Sequence, residues 1–561
     1  MMTPAETMSG GAQLARMLRD YGVDHIFFVD AILRHMLAHA EQHGIRRILA
    51  HSEKAAAYMA DGYARATGRP AVCMAQSVGA ANLASGLQDA CLAGAPVIAL
   101  TGRQVAEKQY RHAYQELPHE PMFTSVTRFS GRIETPFQLG HLMRHAFRVA
   151  TSAPSGPVHL DVSGHTGDVA ENWQMAEPVI VEEAHTRMPA FRPPPPPEVI
   201  EALARVLEEA DAPILVVGQD ACWSRATAAL QALVRRQQLP VGCGPDAKAM
   251  MASLPELDAG VVGTYGTDAA NRLMAEADFV LFVGSEAGDQ ITSNWKLPLP
   301  GVRGAQIGAD PADLGRNLPG ALLVHADPRL ALEALDACAK PRRRDAWLAR
   351  MQALKDQWWT EHAPRLASDA VPVRPERICA EVTRWLPADA CVVADTGFAS
   401  QWSSQLLQLR HADQQFLRAV GSLGWAFPAS LGVKCAQPHR PVVCFTGDGG
   451  FMYHLPELET ATRWGLNTIT VVNNNGCLAQ GQRSLRAAQI GGVRMADCYQ
   501  FVQQDFAAIA QAFGCVGLSV RDPRELEGAL NQALREDRPV VIDVHTDSAA
   551  MCKVPWMPGA A

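Results

Sequence analysis

Short apolar runs alternate with longer amphipathic stretches along most of the chain. Residues 25–29, 71–74 and 97–101 read as buried strands, and residues 14–21 and 55–67 carry the spacing of helices between them. The pattern returns at 214–218, 279–284 and 322–325, and again at 391–394, 442–446, 468–473 and 540–544. Apolar runs of this length, separated by helical spans, predict parallel sheets built from βαβ units. The fold class expected is α/β, with three doubly wound parallel-sheet domains at residues 1–185, 198–340 and 373–551. Two linkers separate them. Residues 189–198 hold the run Pro193 to Pro197, which fixes φ and removes donors, so an extended connector is expected. Residues 341–375 carry Trp347, Trp358 and Trp359 and are expected to pack as a helix.

Composition narrows the classes. At 561 residues the chain exceeds a single core. With 48% apolar and 19% charged residues it has the balance of a compact globular protein. A net charge of −8 and the lack of a basic cluster interleaved with aromatics argue against a nucleic-acid partner. The 13 cysteines are odd in number and never spaced C-x-x-C, as expected of reduced thiols in a cytoplasmic protein. Residues 1–11 lack the pattern of a secretory leader, and no stretch is apolar for long enough to predict a membrane span.

The chemistry concentrates in the third block. Gly447-Asp448-Gly449-Gly450 follows one predicted strand, a helical span comes next, and the following strand runs into Asn473-Asn474-Asn475. A carboxylate at one strand end and an amide at the next converge at the carboxyl edge of a parallel sheet. Such oxygen donors suit a hard cation that keeps coordination for phosphate and water. The glycines let backbone N–H groups approach a phosphate. Taken alone, the G-D-G triplet is equally a tight turn and the asparagines equally a strand cap.

In context, the segment from Gly447 to Asn475, with Asn475 following Asp448 by 27 residues, resembles the thiamine-diphosphate motif of the acetolactate synthase and pyruvate oxidase group. The resemblance implies thiamine diphosphate and Mg²⁺ as cofactors, with the metal on Asp448, Asn475 and the main-chain carbonyl of Cys477. The run of three asparagines leaves a slip of one residue open. In the first block, Glu53 precedes Met59-Ala60-Asp61-Gly62-Tyr63-Ala64-Arg65, which is similar to the family stretch whose Glu hydrogen-bonds the cofactor aminopyrimidine. By position alone, Glu53 would only favour a helix N-terminus. Ser77 to Asn82 resembles a family turn without its proline. Ala113-Tyr114-Gln115-Glu116 resembles a segment whose Gln reaches the active site, which makes Gln115 a catalytic candidate beside Glu53; a surface-loop role is the other reading. Gly421-Ser422-Leu423-Gly424 resembles the segment whose apolar third residue, here Leu423, wedges beneath the cofactor rings. Gly397, Ala399 and Ser400 stand where the family grips the diphosphate, although the Gln and His common there are missing.

Departures touch the substrate. A turn the family builds as G-V-P-G is Phe28-Val29-Asp30-Ala31, and Ser484 stands where acetolactate synthases carry a Trp that helps select the second ketoacid. A carboxylate at Asp30 would repel an anionic substrate unless Arg483 or Arg111 compensates. The middle block resembles the family's central domain; FAD there is possible but not favoured, and a plain structural domain is the leading expectation. The function expected is cleavage or formation of a carbon–carbon bond next to a carbonyl. The substrate would be a small 2-oxoacid, aldehyde or acyl-CoA, and the enzyme a homodimer or homotetramer with its cofactor between the first block of one subunit and the third of another. The alternatives are a 2-hydroxyacyl-CoA or oxalyl-CoA type lyase, and a regulatory protein that binds the cofactor without turnover.

Overall fold

A computed structural model describes residues 7–488 and 495–559; the first six residues of the stretch read for a leader lie outside them. Eighteen strands form three parallel sheets of six. The first holds β1 (His25–Phe28), β2 (Arg46–Leu49), β3 (Ala71–Ala75), β4 (Val97–Arg103), β5 (Phe129–Ile133) and β6 (Val158–Ser163), in the order 2-1-3-4-6-5. The second holds β7 (Pro213–Val217), β8 (Val241–Cys243), β9 (Asp258–Val261), β10 (Phe279–Val283), β11 (Arg303–Gly308) and β12 (Leu322–His325), in the order 9-8-7-10-11-12. The third holds β13 (Cys391–Ala394), β14 (Gln415–Arg418), β15 (Val442–Gly447), β16 (Ile469–Asn474), β17 (Val516–Val520) and β18 (Val540–His545), in the order 14-13-15-16-18-17. The first and third sheets thus share one topology, and the second is wound differently. All inter-strand pairings within the three sheets are parallel, as expected where helices cover both faces.

The first and third blocks meet along two helices, α1 (Glu53–Thr67) and, in the third block, Ala426–Ala436. Ser52 caps α1 by accepting from the Ala55 N–H, and Gly68 ends it in the left-handed region at φ 67°. The two helices touch backbone to backbone because two positions lack a side chain. A Cβ on Gly62 would lie 2.2 Å from the Ala429 carbonyl oxygen, and one on Gly432 would lie 1.9 Å from that of Met59. One continuous apolar cluster consequently joins Ala56, Met59 and Tyr63 of the first block to Trp425, Phe427 and Leu431 of the third.

The first linker is shorter than expected. The chain is extended to Pro196, then enters a helix at Pro197, whose missing N–H and fixed φ suit a first turn. The second linker does pack as a helix, Asp345–Leu366, with Trp347 and Trp358 buried. The central block also grips the third. The ammonium of Lys248, held down to about 8 by burial, donates to the Ser403 and Ser404 carbonyls, the latter at 2.7 Å. Arg418, at the end of β14 and 2% exposed, pairs with Asp246 at 2.8 Å.

Candidate functional site

In the third sheet, β13 and β15 are neighbours whose connections leave in opposite directions, which opens a crevice at their carboxyl ends. A cavity of about 430 Å³ lies there. Gly397 and Ala399 line it from the start of the helix Phe398–Leu406, and Gly421 and Leu423 from the loop after β14. Gly447, Asp448, Gly449 and Gly450 line it from the end of β15, and Asn475 and Cys477 from the end of β16. Ser400, in the first turn of that helix, is buried with an unpartnered hydroxyl and is not part of the wall.

Strand alternation distinguishes the three asparagines. Asn473 and Asn475 face the cavity. Asn474 points into the core, where its amide donates to Asp543 at 2.8 Å and to the Gln504 carbonyl at 2.9 Å. Asp448 accepts from the N–H of Gly449 at 2.8 Å and of Gly476 at 2.6 Å. Burial nevertheless pushes its carboxyl up to about 6, against the pull of those backbone donors. A buried carboxylate whose pull comes only from backbone donors, with an amide oxygen and a carbonyl beside it, is the donor set a divalent cation would neutralise. The helix from Phe398 presents free N–H groups to the same cavity, which suits a diphosphate. These residues fit the cofactor and metal the sequence suggested.

The sequence reading assigned no anchoring role to three residues that hold this cavity. Asp395, at the end of β13, accepts from the N–H of Thr396 at 2.8 Å and of Gly424 at 3.0 Å and from the Thr446 hydroxyl at 3.0 Å. It thereby ties together three segments of the wall; burial raises it to about 6. Asp89 and Arg65 reach the wall from the first block.

No described residue of the first block lines the cavity. Glu53 stands half-buried at the first position of α1, where Asn82 donates to its carboxylate at 3.2 Å. Gly79 lies directly under it: a Cβ there would sit 2.5 Å from Glu53 Oε1. Gln115 lies on a nearby loop with φ 58°, and its backbone carbonyl accepts from the Ser77 hydroxyl of that same turn. Ser77 also contacts His119, part of a buried group in which His119 bonds Asp161 at 2.7 Å and Thr101 bridges Asp161 and His159 at 2.6 Å each. The three ligand-type residues His119, His159 and Asp161 lie close enough to hold an ion. The Thr101 hydroxyl takes the central position among them, and the group reads as a satisfied hydrogen-bond network.

Asp30 is not left as a bare charge. Its partner is Arg34, at 3.4 Å, in place of the Arg483 or Arg111 expected. Arg483 stacks over Phe398 at 4.8 Å. Ser484 does line the cavity. All 13 cysteines are free, and no helix of the described residues is long and apolar enough to cross a membrane.

Two like-wound α/β blocks packed through their helices, one of them bearing a glycine-lined crevice with oxygen donors for a cation, define an enzyme that grips a diphosphate-bearing cofactor. The chain matches three family profiles in order. Residues 8–122 match "Thiamine pyrophosphate enzyme, N-terminal TPP binding domain", residues 200–335 its central domain, and residues 395–544 its "C-terminal TPP binding domain". It belongs to the thiamine pyrophosphate enzyme family. It is 31% identical to the acetolactate synthase large subunit of Parasynechococcus marenigrum, over 99% of this chain and 90% of that protein. It is 28% identical to a probable acetolactate synthase large subunit of Methanocaldococcus jannaschii (97% and 92% covered). It is also 28% identical to the acetolactate synthase isozyme 2 large subunit of Escherichia coli (96% of each chain covered). The chain is accordingly a thiamine-diphosphate-dependent enzyme of the decarboxylase and carboligase kind, and neither the thioester-lyase nor the non-catalytic alternative is favoured.

Proposed function

We propose that the protein cleaves a 2-oxoacid at the bond next to its carbonyl and transfers the remaining fragment, using thiamine diphosphate and Mg²⁺. The observation that carries this reading is the convergence of Asp448, Asn475 and the Cys477 carbonyl in one cavity with Leu423. Asp448, Asn475 and that carbonyl would hold the metal. The N–H groups at the start of the helix from Phe398 and those of Gly447 to Gly450 would hold the diphosphate. The cofactor supplies an electron sink for the pair of electrons released when the bond breaks. Leu423 would exclude water from the reacting end of the cavity and bear against the cofactor rings. Glu53, offered by a second copy of the chain, would hold the proton at the aminopyrimidine nitrogen and exchange it there.

That arrangement needs at least a dimer. Its support is that Glu53 lies outside the diphosphate cavity of its own chain, and that Tyr110, Tyr114, Met452, Tyr453 and Val502 stand exposed around the two half-sites. For the acceptor, Ser484 offers no large surface against which to select a second ketoacid by size, so a proton or an aldehyde is preferred over a second pyruvate. The test supplies pyruvate alone with the cofactor and Mg²⁺, with and without FAD, and follows CO₂ and acetolactate. CO₂ release with acetolactate formed more slowly than about 1 s⁻¹ is expected. Acetolactate at or above that rate would overturn the acceptor assignment. A cofactor-loaded protein releasing no CO₂ from any of a panel of 2-oxoacids would overturn the reaction.

A further inference from the structure

The loop that carries Leu423 is held by the first block of the same chain. Asp89, on the helix Ala80–Leu92 with its side chain fully buried, accepts from three successive backbone N–H groups. Val420 donates to it at 2.9 Å, Gly421 at 3.1 Å and Ser422 at 2.8 Å. Arg65, on α1, donates to the Asp89 carboxylate at 2.8 Å and to the Arg418 carbonyl, at the near end of the loop, at 2.9 Å. Arg65 also grips Asp61 at 2.7 and 2.8 Å, and Asp61 in turn accepts from the indole N–H of Trp425 at 2.8 Å, just past the loop. The guanidinium lies 4.5 Å from the centre of the Trp425 ring. From the cavity side, Asp395 takes the Gly424 N–H. The N–H groups on both sides of Leu423 therefore end on buried carboxylates, while Leu423 itself remains partly open to the cavity.

A loop has no ladder of its own to fix it, and a wedge that must bear on a ring needs its backbone held to within a fraction of an ångström. Three consecutive amides on one carboxylate form a charge-assisted anchor. Burial works to raise Asp89, but Arg65 and the N–H groups of Val420 and Ser422 outweigh it and keep the carboxyl below its ordinary range, so the anchor is ionised at neutral pH.

We infer that Asp89, supported by Arg65, is a positioning residue of the cofactor site: it sets the Gly421–Leu423 backbone against which the cofactor rings seat, and has no part in holding the diphosphate. The inference rests on the cofactor reading above, so wild-type affinity for thiamine diphosphate with Mg²⁺ is measured first, and its absence would count against that reading alone. Asp89→Asn keeps the shape but removes the charge, and turns an NH₂ toward backbone donors. Its affinity for thiamine diphosphate should fall at least tenfold, while its affinity for inorganic pyrophosphate with Mg²⁺, which needs only the Asp448 side of the cavity, stays within about twofold of wild type. Hydrogen exchange at residues 420–422 should accelerate in the apo protein. If Asp89→Asn does not fold, Arg65→Lys is read in the same way, because it keeps the charge but loses the fork that spans Asp61 and Asp89. Equal losses for the two ligands would reduce Asp89 to a purely structural group. Unchanged thiamine diphosphate affinity would overturn the inference outright.

Discussion

Gly79→Ala separates the position of Glu53 from its charge. Gly79 has φ −67° and ψ −15°, which alanine adopts freely, so the substitution adds no backbone strain. Left to backbone terms, Gly→Ala at such a site stabilises by about 0.4–1 kcal/mol. The new methyl would lie 2.5 Å from Glu53 Oε1 and 3.0 Å from its Cδ, where ordinary contact begins at 3.4 Å. The carboxylate must therefore retreat by about 0.9 Å. It can do so cheaply, because it is the far end of a half-buried side chain, but the Asn82 bond at 3.2 Å has little slack to follow it. A catalytic group displaced by about 1 Å loses on the order of 10²-fold in rate, roughly 2.7 kcal/mol of barrier. The expected variant is as stable as wild type in thermal unfolding and binds the cofactor nearly as well, but turns over about a hundredfold more slowly in CO₂ release. Wild-type turnover in a folded Gly79→Ala protein would refute the claim that Glu53 works from this position. A large fall in melting temperature would show instead that the clash is borne by the backbone.

Glu53→Gln should retain most cofactor affinity and lose about 10²–10⁴-fold in turnover, with proton exchange at the thiazolium carbon slowed in proportion; exchange at the wild-type rate would remove Glu53 from the chemistry. Asp448→Ala should abolish Mg²⁺-dependent cofactor binding in a titration, and unchanged affinity would dismiss the metal assignment. Asp448 stands at about 6, so its proton competes with the metal below that pH. Mg²⁺ affinity should fall about tenfold per pH unit under pH 6 and level off above it. A group raised in this way favours the apo fold at low pH and ceases to do so as pH rises through 6, so Mg²⁺ should raise the melting temperature more at pH 7 than at pH 5. Light scattering at assay concentration should give a dimer or a multiple of one, and an active monomer would contradict the shared site.

Most of the strands legible in the sequence are buried on both faces; the half-exposed edge strand Leu322–His325 is also legible, and the fully buried Val158–Ser163, interrupted by His159 and Asp161, is not. β3, β7, β10, β13 and β15 are continuous apolar runs because helices cover them on both sides. Three edge strands escaped because water reaches them: Arg46–Leu49 and Phe129–Ile133 are interrupted by exposed arginines, and Gln415–Arg418 alternates. Val241–Cys243 is simply too short to register. In the site, Asp448 and Asn475 were legible because motif spacing places them at adjacent strand ends. Strand alternation distinguishes Asn475 from Asn474, which a run of three identical residues leaves open. Asp89 could not be read at all. The amides it anchors lie 331 residues and more along the chain, and no local pattern marks a carboxylate as an anchor for distant amides. Asp30 has a nearby partner that the sequence reading did not name, Arg34, four residues on at the start of the next helix.

The grip of the central block on Ser403, Ser404 and Arg418 bears on how such chains can be recombined. The central block contributes nothing to the cavity wall, and at first sight it is the module most easily exchanged between relatives. Yet Lys248 occupies the carbonyl end of the helix whose other end faces the cavity, and Asp246 neutralises an arginine buried at the root of the Leu423 loop. A chimaera with a foreign central block would leave two buried carbonyls without donors and a buried guanidinium without its carboxylate unless Lys248 and Asp246 travelled with it. The seam for a crossover therefore runs not at the linkers but around that pair, and a graft that respects it carries the cofactor helix across undisturbed.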